Sequence, residues 1–199
     1  MTEYQKTHPY WRPLSFEYKE HQFELIELAP TDELIQASIN WLEDKTILQK
    51  LGIDEITVDA KTERNRIAEI LANKDEYSWT ILCDGKVIGN VSLNGIEEAS
   101  EKTGKRAGKV AMILGEEARG KGFSTRIREE MIDWAFEEGG FEAIIGRIRP
   151  DNIPSIKMAE RGGAILGEIE QHEDGEWRYY TMFPKKQPQS GIERFLDRG

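Results

Sequence analysis

Val110-Ala111-Met112-Ile113-Leu114-Gly115-Glu116-Glu117-Ala118-Arg119-Gly120-Lys121-Gly122-Phe123-Ser124-Thr125 reads as a buried strand, a glycine-rich turn and the start of a helix. Residues 110–114 are an unbroken apolar run of strand length. After Gly122 the apolar residues fall at Phe123, Ile127, Met131, Trp134 and Ala135, which is helical spacing. Arg126, Arg128, Glu129, Glu130, Asp133 and Glu137 fill the opposite face, and Gly139-Gly140 stops the helix. A strand that feeds a glycine turn at a helix N-terminus makes an anion site. The first backbone N–H groups of the helix lack internal partners, and the macrodipole adds partial positive charge there. The glycines allow close approach to the backbone, and Arg119 and Lys121 add two cations.

Three phosphate-binding patterns can be laid on this turn. Gly115-x4-Gly120-Lys121 begins a P-loop, but the magnesium-holding Ser or Thr that should follow is Gly122. Gly120-x-Gly122-x-x-Thr125 approaches the dinucleotide fingerprint but has Thr at the third position. The acidic residue that should end the next strand is represented only by Glu142, which opens one. The third pattern fits better. Arg119-x-x-Gly122-x-Ser124 resembles the Arg/Gln-x-x-Gly-x-Gly/Ala acyl-CoA signature of the GNAT N-acyltransferase superfamily. A second apolar strand, Ala143-Ile144-Ile145-Gly146-Arg147-Ile148, follows at the expected distance. Asn152-x-x-Ser155 then opens a short helix closed by Arg161-Gly162-Gly163. The Ser after Asn, and Ala159 in place of a Tyr, look most like the ribosomal-protein N-terminal acetyltransferase branch. The match is dense over about 107–170, and only the order of elements agrees from Phe23 to Leu93.

Composition sets the outer bounds. A chain of 199 residues with 38% apolar and 32% charged residues has the size and make-up of one globular domain with short appendages. No apolar run approaches the roughly 20 residues of a membrane span. Met1-Thr2-Glu3-Tyr4 lacks a basic segment leading into an apolar core, so no secretory signal is visible and a cytoplasmic setting is expected. The one cysteine, Cys83, reads as a small buried hydrophobe. The net charge of −10 argues against generic nucleic-acid binding and is compatible with a cationic acceptor.

Outward from the central stretch, residues 1–22 hold Tyr4, Tyr10, Trp11, Phe16 and Tyr18 and read as an arm that packs on the domain or lines the acceptor cleft. His8 and His21 have no spacing partner for a metal, so both are read as surface or loop residues. Phe23-Glu24-Leu25-Ile26-Glu27-Leu28 is a first strand. Thr31 caps a helix striped by Leu34, Ile35, Ser38, Ile39 and Leu42. A second helix runs over 62–71, with Lys61, Arg64 and Arg66 on a solvated face. Tyr77 to Cys83 and Lys86 to Leu93 form a hairpin across Asp84-Gly85. A polar loop over 97–109 leads back to the central strand, completing a three-strand meander. The helix over 121–138 and the strand over 142–149 then make a parallel crossover. A terminal hairpin runs over 164–183 across His172-Glu173-Asp174-Gly175, with Asp174-Gly175 as the turn signal. The expected domain spans 23–184, with a polar tail over 185–199 in which Ile192, Phe195 and Leu196 suggest one short helix.

The resemblance implies a mixed α/β (α+β), mostly antiparallel sheet of about seven strands and about four helices. It implies a direct transfer of an acetyl group from acetyl-CoA to a primary amine, with no metal. It places Met112, Ile113 and Leu114 along the pantetheine arm by their backbone. It places Arg119, Gly120, Lys121, Gly122, Phe123, Ser124 and Thr125 at the pyrophosphate, and Asn152 and Ser155 at the lower arm. Ser155 is the candidate donor to the thioester sulfur, and its hydroxyl fits a helix-start role equally well. Trp41 is either an acceptor contact or a core anchor. The base stays open among Glu97, Glu116, Tyr179 and Tyr180, because Arg147 stands where the family places a glutamate. The acceptor is a protein N-terminus or a small-molecule amine of polyamine or aminoglycoside type; a homodimer is among the compatible assemblies. The alternative of another class is a catalytically silent acyl-CoA-binding module.

Overall fold

The computed structural model describes residues 2–51 and 58–184. In chain order the strands are β1 (Leu14–Tyr18), β2 (His21–Glu27), β3 (Glu76–Cys83), β4 (Lys86–Asn94), β5 (Ala107–Leu114), β6 (Ala143–Ile148), β7 (Ile165–His172) and β8 (Gly175–Met182). They form one sheet in the order β1-β2-β3-β4-β5-β6-β8-β7. Every neighbouring pair is antiparallel except β5 and β6. The helices are α1 (Glu3–Thr7), α2 (Asp32–Glu43), α3 (Lys45–Leu51), α4 (Ala60–Ala72), α5 (Ile96–Thr103), α6 (Phe123–Glu137) and α7 (Ile153–Arg161). The expected mixed, mostly antiparallel class holds, with eight strands and seven helices among the described residues in place of about seven and four.

The central crossover forms because its two ends are chemically fixed. α6 starts at Gly122, whose φ of 81° is a left-handed conformation that glycine adopts without strain. It ends where Gly140 turns at φ 69° and the Phe141 N–H returns to the Ala135 carbonyl. Between these ends Phe123, Ile127, Met131, Trp134 and Ala135 are buried against Phe23, Trp79, Ile81, Val91 and Leu93. The rings of Trp79 and Trp134 meet edge to face at 4.8 Å, worth about 0.5–1.5 kcal/mol beyond their buried area. On the opposite face, Leu34, Ile35 and Trp41 of α2 and Ile67 of α4 pack with Leu28, Val87 and Ile113.

Several elements depart from the sequence reading. Residues 14–18, expected within an arm, are the edge strand β1, paired from Leu14↔Leu25 to Tyr18↔His21. Its turn, Lys19-Glu20, has φ of 51° and 66° at both positions, a geometry normally signalled by Asn-Gly or Asp-Gly. His8, read as a surface or loop residue, is buried, with its ring 4.7 Å from that of Tyr77. The polar loop over 97–109 contains α5, bounded by left-handed Gly95 and Gly104, with Ile96 and Ala99 turned inward. The Glu97 N–H is held by Asp75 Oδ1 at 2.7 Å. The last hairpin turns across His172-Glu173-Asp174-Gly175 as expected, with Glu173-Asp174 at its centre because His172 pairs with Gly175. The tail over 185–199, with its suggested helix, lies outside the described residues.

Candidate active site

β5 and β6 pair only through Ala107↔Ala143, Gly108↔Ile144 and Lys109↔Ile145. β5 then runs on to Leu114 and β6 to Ile148 with no pairing between them. The strands part, and the β6-facing edge of β5 is open over 110–114 while its other edge stays paired with β4, from Lys109↔Asn94 to Leu114↔Gly89. An open strand edge offers backbone N–H and C=O groups to an extended ligand. Gly89 holds β4 close to this strand: a Cβ there would drive into the Ile113 carbonyl oxygen and lie 2.7 Å from the Leu114 side chain.

The glycine-rich turn closes the wide end of the opening. The Gly115 N–H bonds the Ile88 carbonyl, one 3-10 turn covers Glu116–Ala118, and Gly120 and Gly122 both have positive φ. No side chain caps α6, so its first N–H groups remain available to an anion. Arg119 is less available than the sequence implies. Its Nε donates to the Leu114 carbonyl at 3.0 Å, and a second guanidinium nitrogen donates to Asp44 at 2.8 Å. Hydrogen bonds from Thr46 and then from Arg119 hold the Asp44 carboxyl well below the usual carboxylate range. Lys121 lies over the Phe123 ring. The Phe123 side chain is core, so it can serve a ligand only through its backbone. Ser124 and Thr125 are half-buried. Lys19, which carries no signal in the sequence, donates to the Lys121 carbonyl at 2.8 Å. Asn152 caps α7 through the Ser155 N–H, and Ser155 is half-buried with no hydroxyl partner among the described residues.

One residue tests whether this opening suits an anionic ligand with amide groups. Arg128, assigned by periodicity to the solvated face of the helix, is 5% exposed. No acceptor among the described residues reaches its Nε, no carboxylate pairs with it, and burial alone depresses its pKa. Its guanidinium lies 3.7 Å from where a Cβ on Gly146 of β6 would sit, beside the parting strands. A buried cation without a counter-charge is costly, and a phosphate or carbonyl oxygen entering the opening would satisfy it. The residues present therefore fit acyl-CoA.

Two clefts adjoin the opening. The first, of about 450 Å³, is lined by Ala111, Met112 and Ile113 of β5, by Asn90, Ser92 and Asn94 of β4, by Glu76 of β3 and by Arg66, Glu69 and Asn73 on the α4 side. This is the face opposite α6. On β3 the residues Tyr77, Trp79 and Ile81 point to the α6 core, so Glu76, Ser78 and Thr80 point away from it. Their cross-strand partners are Asn94, Ser92 and Asn90. Ser78, Thr80 and Ser92 are buried, which makes this a covered polar face where an apolar one would be expected. Ser78 Oγ donates to Glu76 at 2.7 Å, and burial pushes the Glu76 carboxyl above its ordinary value. Arg66, expected on a solvated face, makes two hydrogen bonds to the buried Glu63.

The second cleft, of about 430 Å³, is lined by Ala37, Asn40, Trp41, Glu43, Asp44, Glu116, Glu117 and Arg119. It brings together Trp41, Glu116 and Arg119. Trp41 is also a buried member of the α2–α4 core. The other base candidates lie elsewhere. Tyr179 donates its hydroxyl to Glu170 at 2.8 Å beneath Lys102, Tyr180 is buried, Glu97 is exposed on α5, and Arg147 stacks on Trp177.

A parallel pair that parts above a glycine turn, with a crossover helix behind it, is the arrangement the sequence resemblance implies. The family model for the acetyltransferase (GNAT) domain matches residues 23–165. The chain belongs to the GNAT acetyltransferase family. An uncharacterized N-acetyltransferase p20 from Bacillus licheniformis is 25% identical over 138 residues, covering 67% of this chain and 72% of that protein. Among solved structures, a RimL ribosomal L7/L12 alpha-N-protein acetyltransferase in complex with coenzyme A superposes with a TM-score of 0.68 at 18% identity. That match covers 81% of this chain and 93% of the other. A spermidine N-acetyltransferase from Vibrio cholerae, with CoA and spermine bound, superposes with a TM-score of 0.70 at 14% identity over 83% and 96% of the two chains. As a GNAT enzyme the chain is an acyltransferase that uses acetyl-CoA and an amine acceptor, and the transfer needs no metal. No helix among the described residues is long and apolar enough to cross a membrane.

Proposed function

We propose that this GNAT enzyme acetylates a primary amine, on a polypeptide N-terminus or a small polyamine or aminoglycoside, bound in the cleft between α4 and the β3–β5 face. The observation that carries this reading is the covered polar face of Glu76, Ser78, Asn90, Ser92 and Asn94 meeting the open edge of β5 in one cleft. The anion site lies after Leu114, so the open edge runs from there back toward Lys109. Ala111 lies three residues back from Leu114, about 10 Å along the strand, and it lines the Glu76 cleft. The Trp41–Glu116 cleft instead adjoins the turn itself.

Acetyl-CoA supplies the activated acetyl group as a thioester. The 120–125 backbone, Lys121 and Arg128 bind its anionic and carbonyl oxygens, and the backbone of Met112, Ile113 and Leu114 aligns its amides. The acceptor enters as an ammonium and must lose a proton before its nitrogen can attack. Glu76, held by Ser78, takes that proton in its carboxylate form, directly or through one water. Its raised pKa brings it closer to the working range than an ordinary glutamate. As the C–N bond forms and the C–S bond breaks, the nitrogen gives up its second proton and the departing sulfur takes one up to leave as the thiol, with Ser155 offered as the hydrogen-bond donor at that sulfur. Arg66 is neutralised by Glu63, which leaves Glu69 and Glu76 to favour a cationic acceptor.

The test is thiol release from acetyl-CoA in the presence of N-terminal peptides, spermidine, spermine and aminoglycosides. At least one amine is expected to drive stoichiometric release with acetyl appearing on nitrogen. Binding of acetyl-CoA with no turnover on any amine would return the chain to a silent acyl-CoA-binding module.

A further inference from the structure

His21 has no metal partner at any sequence spacing, but the fold supplies two from the neighbouring hairpin. We propose that His21, Cys83 and Asp84 form a site for a thiophilic divalent cation of the zinc class, beside the glycine-rich turn. A His21 ring nitrogen, Cys83 Sγ and an Asp84 carboxylate oxygen all lie within 4.8 Å of one another. Asp84 Oδ2 is 2.7 Å from His21 Nδ1 and 3.9 Å from Cys83 Sγ. In a tetrahedral zinc site, bond lengths of about 2.0–2.3 Å put ligand atoms roughly 3.3–3.8 Å apart. The nitrogen–oxygen pair therefore opens by about half an ångström and the sulfur–oxygen pair closes by less.

The framework that holds these atoms is stiff. Phe23 pairs with Cys83 across β2 and β3. The Asp84 N–H donates to the Gln22 carbonyl at 2.8 Å, and the Gln22 N–H donates to Asp84 Oδ1 at 3.0 Å. This leaves Oδ2 directed at the other two groups. The His21 ring is braced by Phe23 and by Phe123, at 6.4 and 5.4 Å between centroids. The His21 and Asp84 side chains are 41% and 53% exposed, so water can reach a fourth position. A hydrogen bond that links the two hairpin ends needs only His21 and Asp84. The thiol adds a soft ligand that zinc favours and magnesium does not, and binding displaces its proton to solvent. An ion here would tie the ends of two hairpins together. The site stands apart from the acetyl-transfer chemistry, which uses none of these three side chains.

Cobalt(II) is the probe, added to the reduced, tag-free, full-length chain without acetyl-CoA. Cys83 is the only cysteine in the sequence, so any thiolate-to-cobalt charge-transfer band in the near ultraviolet belongs to it. The expected result is a band that saturates at one cobalt per chain, is displaced by zinc but not by magnesium, and is absent in Cys83→Ser. Cobalt affinity should fall by more than about tenfold in His21→Ala and in Asp84→Asn. Asp84→Asn retains the oxygen that accepts from Gln22, and far-ultraviolet circular dichroism checks that each variant is folded. The absence of a band, or a band with unchanged affinity in both folded variants, would overturn the proposal.

Discussion

Replacing Arg128 with Met separates what a buried guanidinium costs the ligand-free protein from what it gives the bound cofactor. In the free protein this side chain is 5% exposed, with burial as the sole cause of its depressed pKa and no carboxylate partner among the described residues. Taking an ion out of water costs several kcal/mol even after relaxation, and hydrophobic replacement of buried ionic groups is often stabilising by about 1–4 kcal/mol. Met matches the length of the Arg stem and removes the charge. The free Arg128→Met protein should therefore be as stable as the wild type or more so, with Tm rising by roughly 2–4 °C per kcal/mol for a chain of this size. Acetyl-CoA binding should move the opposite way. A hydrogen bond to a charged group is worth about 1.5–3 kcal/mol, so Kd should rise roughly 10- to 150-fold. Urea unfolding of the free protein and calorimetric titration with acetyl-CoA measure the two effects separately. Arg128→Lys keeps the charge and should retain part of the affinity. A variant that is less stable when free and binds acetyl-CoA unchanged would refute the reasoning, because Arg128 would then be a structural residue.

Three further outcomes follow from the same geometry. Glu76→Gln should lower kcat by about 10²–10⁴, the usual contribution of a positioned base. The acidic limb of its pH–rate profile should also disappear; that limb lies above the ordinary glutamate value of 4.5 because burial favours the protonated carboxyl. Gly89→Ala should destabilise by about 1–3 kcal/mol, read by urea unfolding, and should raise the Kd for acetyl-CoA, because its Cβ displaces the Ile113 carbonyl and the Leu114 side chain on β5. Glu170, held down to about 2 by hydrogen bonds from Lys102 and then Tyr179, contributes stability that is present above the ordinary glutamate value of 4.5 and is lost as pH falls through about 2. Glu170→Gln should flatten the acid-unfolding curve in that window.

The crossover at the centre of the site was legible because each part has its own chemical signal. The apolar run of β5 and the helical spacing after Gly122 fix the elements, and Asn152 marks the start of α7. The Asp84-Gly85 hairpin was legible for the same reason, since both positions adopt positive φ. β1 is hidden because Lys19-Glu20 makes a turn of the same hand without glycine. α5 is hidden because the charges over 97–102 outweigh its two inward residues, Ile96 and Ala99. Arg128 falls outside the periodic row because the buried stripe of α6 is wider than that row: Ile132, one turn after it, is buried as well. Glu76 had a readable signal. Glu76, Ser78 and Thr80 alternate with Tyr77, Trp79 and Ile81, and Asn90, Ser92 and Asn94 repeat the polar series on the next strand. Two adjacent polar rows on strands with apolar opposite faces mark the polar face that lines the first cleft. His21 and Cys83 were beyond sequence spacing altogether, since the pairing of β2 with β3 brings them together.

The most direct measurement is a crystal structure with acetyl-CoA bound. The pantetheine arm is expected between β5 and β6 against the backbone of Met112, Ile113 and Leu114, with the acetyl group opening into the cleft beside Glu76. An acetyl group that emerges in the second cleft, beside Trp41 and Glu116, would contradict the account and move the acceptor and its base to that cleft.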